Sequence, residues 1–193
     1  MSNGWNHFKV VCTHKHYVGM FCRKAGIPWQ GFTHDLSKFS PTEFRESVKY
    51  FSGDRSPIDN CKDVKGYSMA WFHHRGRNKH HWEYWVDNFE KGMEPVDIPY
   101  KYAVEMLCDF LGAGCAYNQC GPDTNMLVSE IAWWEKKREK VKMHPNTKAF
   151  VDMFFDDLRV TNFNLDAVLN PGHLNFLYIT SHERMKTDAD NLH

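Results

Sequence analysis

Apolar positions recur at helical spacing along most of the chain. At about 100° per residue, Phe8, Val11, Val18, Phe21 and Cys22 share one arc of a helix expected from Gly4 to Lys24. Ala25-Gly26-Ile27-Pro28 ends it, a glycine stop with proline just beyond. Ser40-Pro41-Thr42-Glu43 reads as a capping box and opens a helix to about Phe51. The polar, turn-rich stretch from Ser52 to Lys65 predicts an exposed loop. Tyr67 to His74 has an apolar helical pattern, interrupted by Arg75-Gly76-Arg77-Asn78. Lys79 to Phe89 is rich in aromatics and predicts a further helix. Helices also follow at Tyr100 to Tyr117, Thr124 to Lys142 and Pro145 to Leu158. Strict alternation with β-branched residues is confined to Phe176–Thr180. The expected fold is therefore all-α, a single-domain helical bundle over residues 1–160. Residues 161–193 form a C-terminal extension to which the pattern assigns no structure.

Composition narrows the function classes. Hydrophobic residues make up 42% of the 193, enough to form a core, and 24 Lys+Arg balance 24 Asp+Glu. That balance argues against broad nucleic-acid binding. No apolar run approaches the roughly 20 residues of a membrane span, so no membrane association is expected. Met1 to His7 shows no signal-peptide pattern. The six cysteines contain no Cys-x-x-Cys unit and read as reduced residues of a cytoplasmic protein. Gly-rich phosphate loops and Gly-x-Ser-x-Gly elbows are absent.

Histidine is the anomaly, at 12 residues, four of them between His73 and His81. Imidazoles with a carboxylate among them suit divalent transition metals. His14 falls within the apolar arc of the first helix, whereas His16 falls on its polar side. His74 shares a face with Trp71 and Tyr67, and His73 is rotated to the edge. His80 and His81 are adjacent and cannot face the same way along a helix, although both can reach a site from its first turn. The simpler reading of this segment is an aromatic cluster with Trp71, Trp82, Tyr84 and Trp85. His34-Asp35 forms a doublet just before Leu36-Ser37-Lys38-Phe39. His7, His16, His144, His173, His182 and His193 read as surface or capping residues.

A histidine, a His-Asp doublet and a later aspartate on helices resemble the HD-domain metal-dependent phosphohydrolase superfamily. The resemblance implies metal ligation by His14, His34, Asp35 and Asp109, with Glu105 as the nearest substitute for Asp109. His74, His80 and His81 are similar to the extra histidines by which some members hold a second metal. Ser37 departs from the pattern, standing where the family has glycine. From His14 to Thr147 the chain is similar to an uncharacterised HD-related family of phage and bacterial genomes. His-Asp-Leu-Ser-Lys-Phe-Ser-Pro-Thr-Glu-Phe, Ala70-Trp71-Phe72-His73-His74 and Arg77 to Trp85 carry that similarity.

The expectation that follows is a phosphohydrolase using one or two divalent ions (Mn, Fe, Co, Ni, Zn or Mg) on a small phosphorylated substrate such as a nucleotide. Asp35, Lys38 and Glu83 are the catalytic candidates. Arg75, Arg77 and Lys79 are the candidates for holding the substrate phosphate. A di-iron oxygenase and a non-catalytic nucleotide- or protein-binding module of a phage are the alternatives.

Overall fold

Helix α1 (Asn3–Lys24) packs directly on the central helix α6 (Tyr100–Asn118). The reason lies in α6 itself. It is apolar around most of its circumference, so Ala103, Val104, Met106, Leu107, Cys108, Leu111, Cys115 and Ala116 are all buried. A Cβ on Gly112 would lie 2.4 Å from Cγ2 of Val18, so the absence of a side chain there sets how closely α1 and α6 approach.

This computed structural model describes residues 3–190, with side chains described through Glu183. Between α1 and α6 come α2 (Pro28–Thr33), a 3₁₀ turn at Leu36–Phe39, α3 (Pro41–Tyr50), α4 (Pro57–Lys65) and α5 (Met69–Arg75). After α6 come α7 (Thr124–Lys137), α8 (Pro145–Val160), α9 (Leu165–Val168) and α10 (Pro171–Asp190). The fold is all-α. Among the described residues, the strands are a two-residue antiparallel pair, β1 (Val86–Asp87) with β2 (Glu94–Pro95). No described helix is long and apolar enough to cross a membrane.

Three expectations are corrected. The polar stretch from Ser52 to Lys65 contains α4, begun by Pro57 at its first position and anchored through buried Cys61. Lys79–Phe89 is not a helix: it forms turns and a short 3₁₀ segment at Trp82–Trp85, tied by the indole N–H of Trp85 to the carbonyl of Lys79 at 2.7 Å. Phe176–Thr180 lies inside α10, whose Leu174 and Leu177 bury against the α8 side of the core. The capping serine behaves as expected, since Ser40 Oγ accepts from the amide of Glu43 at 3.3 Å.

Candidate metal centre

Five elements converge beside Asp109. His14 comes from α1, His34 and Asp35 from the turn after α2, His74 from α5, His80 and His81 from the following turn, and Asp109 with Glu105 from α6. Asp35 adopts a left-handed conformation, φ 55°, sparsely populated by residues other than Gly and Asn. This turn swings its carboxylate inward between two sets of imidazoles. Loss of regular helix after Arg75 is what lets adjacent His80 and His81 serve one cluster, with ring centroids 4.2 Å apart.

The donor atoms form three groups, two of which share Asp35, while the third is His34, His80 and Glu105. In the first, Nε2 of His14 and of His34 lie 3.1 and 3.2 Å from Asp109 Oδ1. They stand 3.4 and 3.3 Å from Asp35 Oδ2, and 3.2 Å from one another. In the second, Asp35 Oδ1 lies 3.3 Å from His74 Nε2 and 3.5 Å from His80 Nε2, with His81 alongside. Ligands about 2.1 Å from a common ion are separated by roughly 3.0–3.4 Å, so this spacing fits a divalent cation.

A second observation supports the fit. Both oxygens of Asp35 and the Nε2 atoms of His80 and His81 are buried without a hydrogen-bond partner of acceptable geometry. Buried polar atoms are seldom left so. Asp35 Oδ2 is instead paired by charge with Lys38 Nζ at 2.6 Å.

The outward nitrogens are anchored by carboxylates. Glu105 Oε1 accepts from Nδ1 of His34 at 3.0 Å and of His80 at 3.1 Å. Glu43 accepts from Nδ1 of His73 at 2.6 Å and of His74 at 2.8 Å. Donation from Nδ1 leaves the lone pair on Nε2, which is how metal-binding histidines are oriented. Ser37, at the position that departs from the HD pattern, accepts from the amide of Asn78 at 2.8 Å and stands 3.2 Å from His74 Nδ1.

Charge in the cluster is strongly redistributed. Burial opposes ionisation of Asp35, but His34, Lys38 and His74 outweigh it and hold the carboxyl well below its usual pKa. Asp109 behaves alike, with hydrogen bonds from His14 and His34 overcoming burial. His34 is pushed up despite its burial by Asp35, Asp109 and Glu105. His81 goes the other way: burial, then His80 and His74, holds it well below the usual imidazole value.

Two cavities reach the cluster. The first, ≈ 190 Å³, is bounded by His14, Lys38, His74, His81 and Asp109, and also by His7 and Tyr117. The second, ≈ 200 Å³, lies on the other side of Asp109 and His81, against α7.

All seven expected metal ligands thus stand together, with Lys38 beside them. Arg75, Arg77 and Lys79 do not join them. Arg75 lies over the Phe72 ring, Arg77 donates to the His73 carbonyl, and Lys79 lies over Tyr84 and Tyr102, none of them lining either cavity. Glu83, expected as a catalytic residue, is on the wall of the second cavity, and its Oε2 makes no hydrogen bond. His7, expected at the surface, is 5% exposed and faces the first cavity. His144 does cap α8, while His193 lies outside the described residues. Glu43 was hidden in the sequence because its spacing from Ser40 already accounted for it as a capping residue.

A family match extends over residues 3–157, described as a family of unknown function (DUF5662). The chain belongs to that family. Its matched span takes in every residue of the cluster as well as Glu43, Glu83 and Glu105. No curated protein and no solved structure matches the chain.

Proposed function

We propose that the protein is a metal-dependent phosphohydrolase acting on a nucleotide or another small phosphoester. The observation that carries this reading is the carboxylate of Asp35, one oxygen facing His14 and His34 and the other facing His74 and His80. A carboxylate shared in this way between two donor sets suits a two-cation site. His14, His34, Asp35 and Asp109 would hold one ion; Asp35, His74, His80 and His81 would hold the other. Divalent cations bound there supply Lewis acidity and lower the pKa of a coordinated water toward neutrality.

The chain's own groups set up the reaction around them. Glu105 and Glu43 keep protons on Nδ1 of His34, His80 and His74, so that Nε2 points inward. Lys38 lines the first cavity and places a cation beside Asp35, where it offsets charge on a phosphoryl oxygen. Hydrolysis forms a P–O bond to the water oxygen and breaks the ester P–O bond, and the alcohol leaves with a proton.

The test is metal analysis of protein purified without added metal, followed by phosphatase and phosphodiesterase screens across Mn, Mg, Co, Ni and Fe. Two bound ions and turnover that disappears in Asp35→Asn are expected. Metal-replete protein that cleaves no phosphoester would overturn the reading. The three imidazoles of the second set also suit iron, and an oxygen-activating di-iron enzyme is the second reading. Two irons with an absorption band that changes on oxidation would support it.

A further inference from the structure

The second cavity contains a group that the reaction above does not use. Glu83 is largely shielded from solvent, and its Oε2 is buried without a hydrogen-bond partner. Lys137 lines the same cavity but does not hydrogen-bond to this oxygen. An orphaned acceptor of this kind is costly unless a donor arrives to meet it.

The surroundings of Glu83 define what such a donor would be attached to. Trp82, Met106, Phe110 and Trp133 give the cavity apolar, flat walls. Phe110 and Trp133 meet edge to face with centroids 5.0 Å apart, and Trp133 remains 39% exposed, leaving ring surface open to a ligand. The inner end of the same cavity is formed by Asp109, His80 and His81 of the metal cluster. A molecule with its phosphoester at the cluster would therefore extend its other end over these rings.

We propose that this cavity is the subsite for an amino-substituted heteroaromatic ring, which lies against Trp133 and Phe110 while Glu83 Oε2 accepts a hydrogen bond from the amino group. The ring is recognised here whatever chemistry occurs at the cluster; only its attachment to a phosphoester rests on the phosphohydrolase reading. Glu83 is on this view a specificity residue rather than a catalytic one.

Calorimetric binding to metal-loaded protein tests the subsite without turnover. The probes are adenosine against purine riboside, which lacks only the amino group, and cytidine against its des-amino counterpart, none of which carries a phosphoester to hydrolyse. At least one amino-bearing member is expected to bind about tenfold or more tightly than its partner. Glu83→Leu should bring that pair within about threefold, Glu83→Gln should keep a preference because an acceptor remains, and Trp133→Ala should weaken both members. Metal content measured alongside verifies that each variant keeps its cluster. Neither pair differing in the natural protein, or a preference that survives Glu83→Leu, would overturn the proposal. Hydrolysis of p-nitrophenyl phosphate or bis(p-nitrophenyl) phosphate, neither of which carries an amino-heteroaromatic ring, tests the phosphohydrolase reading separately. Its presence with no amino preference sinks the subsite alone, and its absence with the preference intact sinks the reaction alone.

Discussion

Glu105 Oε1 lies 3.0 Å from Nδ1 of His34 and 3.1 Å from Nδ1 of His80, so one oxygen of α6 sets the orientation of two imidazoles from separate turns. Those imidazoles belong to different donor groups, one with His14 and Asp109, the other with His74 and His81. Glu105 therefore couples the two halves of the cluster without needing to bind an ion itself. In Glu105→Leu neither imidazole keeps its acceptor, and metal affinity should fall about 10–100-fold. Competition with a chelator of known affinity would measure it. Unchanged affinity would show that packing alone orients the rings.

Asp35→Asn should separate ligation from folding. Asparagine tolerates the left-handed conformation that Asp35 adopts at φ 55°. The variant should keep its helical circular dichroism while losing the carboxylate shared by both donor groups and, with it, most of the metal content. Asp35→Ala should be worse in stability as well, because alanine is strained at that φ and leaves Lys38 and the imidazoles without their central counter-charge. If both variants bound metal like the natural protein, Asp35 would not be a shared ligand.

Much of this was legible from spacing, because α1 and α8 bury faces with a clear 3.6-residue period and α6 is a long, mostly apolar run. His14 could be chosen over His16 for that reason, and His14 is indeed buried while His16 is exposed. Where the chain leaves regular structure, periodicity misleads. Trp82, Tyr84 and Trp85 mimic a helical face, yet they sit in a turn held by the Trp85-to-Lys79 hydrogen bond. The reverse happened at α4, where a helix in contact with the rest of the chain along a narrow edge has few apolar residues to betray it. The Arg75 to Lys79 charges were drawn toward the site by sequence proximity to His74 and His80, but Arg75 and Lys79 lie over aromatic rings and Arg77 bonds the His73 carbonyl. Glu43 carried two signals at once, cap and imidazole anchor, and only the first depends on local sequence.

Gly112 should control the first donor group at a distance. A Cβ there would lie 2.4 Å from Val18 Cγ2 and 3.2 Å from Val18 N, and 3.5 Å from the His14 carbonyl. The side chain of Val18 can rotate, but the backbone contact can be relieved only by moving α1. Gly112→Ala should cost about 1–3 kcal/mol of stability and weaken metal binding by carrying His14 away from Asp109. Val18→Ala added to it should recover part of the stability and little of the metal affinity. Denaturant titration and chelator competition on the single and double variants would resolve the two effects. Wild-type metal affinity in Gly112→Ala would refute the link between helix spacing and ligation.

Stability should also fall with rising pH on account of Glu130. This α7 carboxyl packs across Gly114 of α6, and its pKa is pushed up to about 7, by burial first and by the charge of Asp109 second. Below about pH 4.5, the ordinary value, the group is protonated in both folded and unfolded chains and contributes nothing. Between there and about pH 7 the unfolded chain loses its proton first, so the folded state is progressively disfavoured. The loss is complete above the folded pKa and amounts to about 3 kcal/mol at most. Glu130→Gln removes the titration. Its stability relative to the natural protein should therefore rise from pH 4.5 to pH 7.5 and then level off, whatever constant offset the amide introduces. Urea unfolding of the two metal-free proteins across that range measures the difference directly. A difference that does not change with pH would mean that Glu130 titrates at its ordinary value.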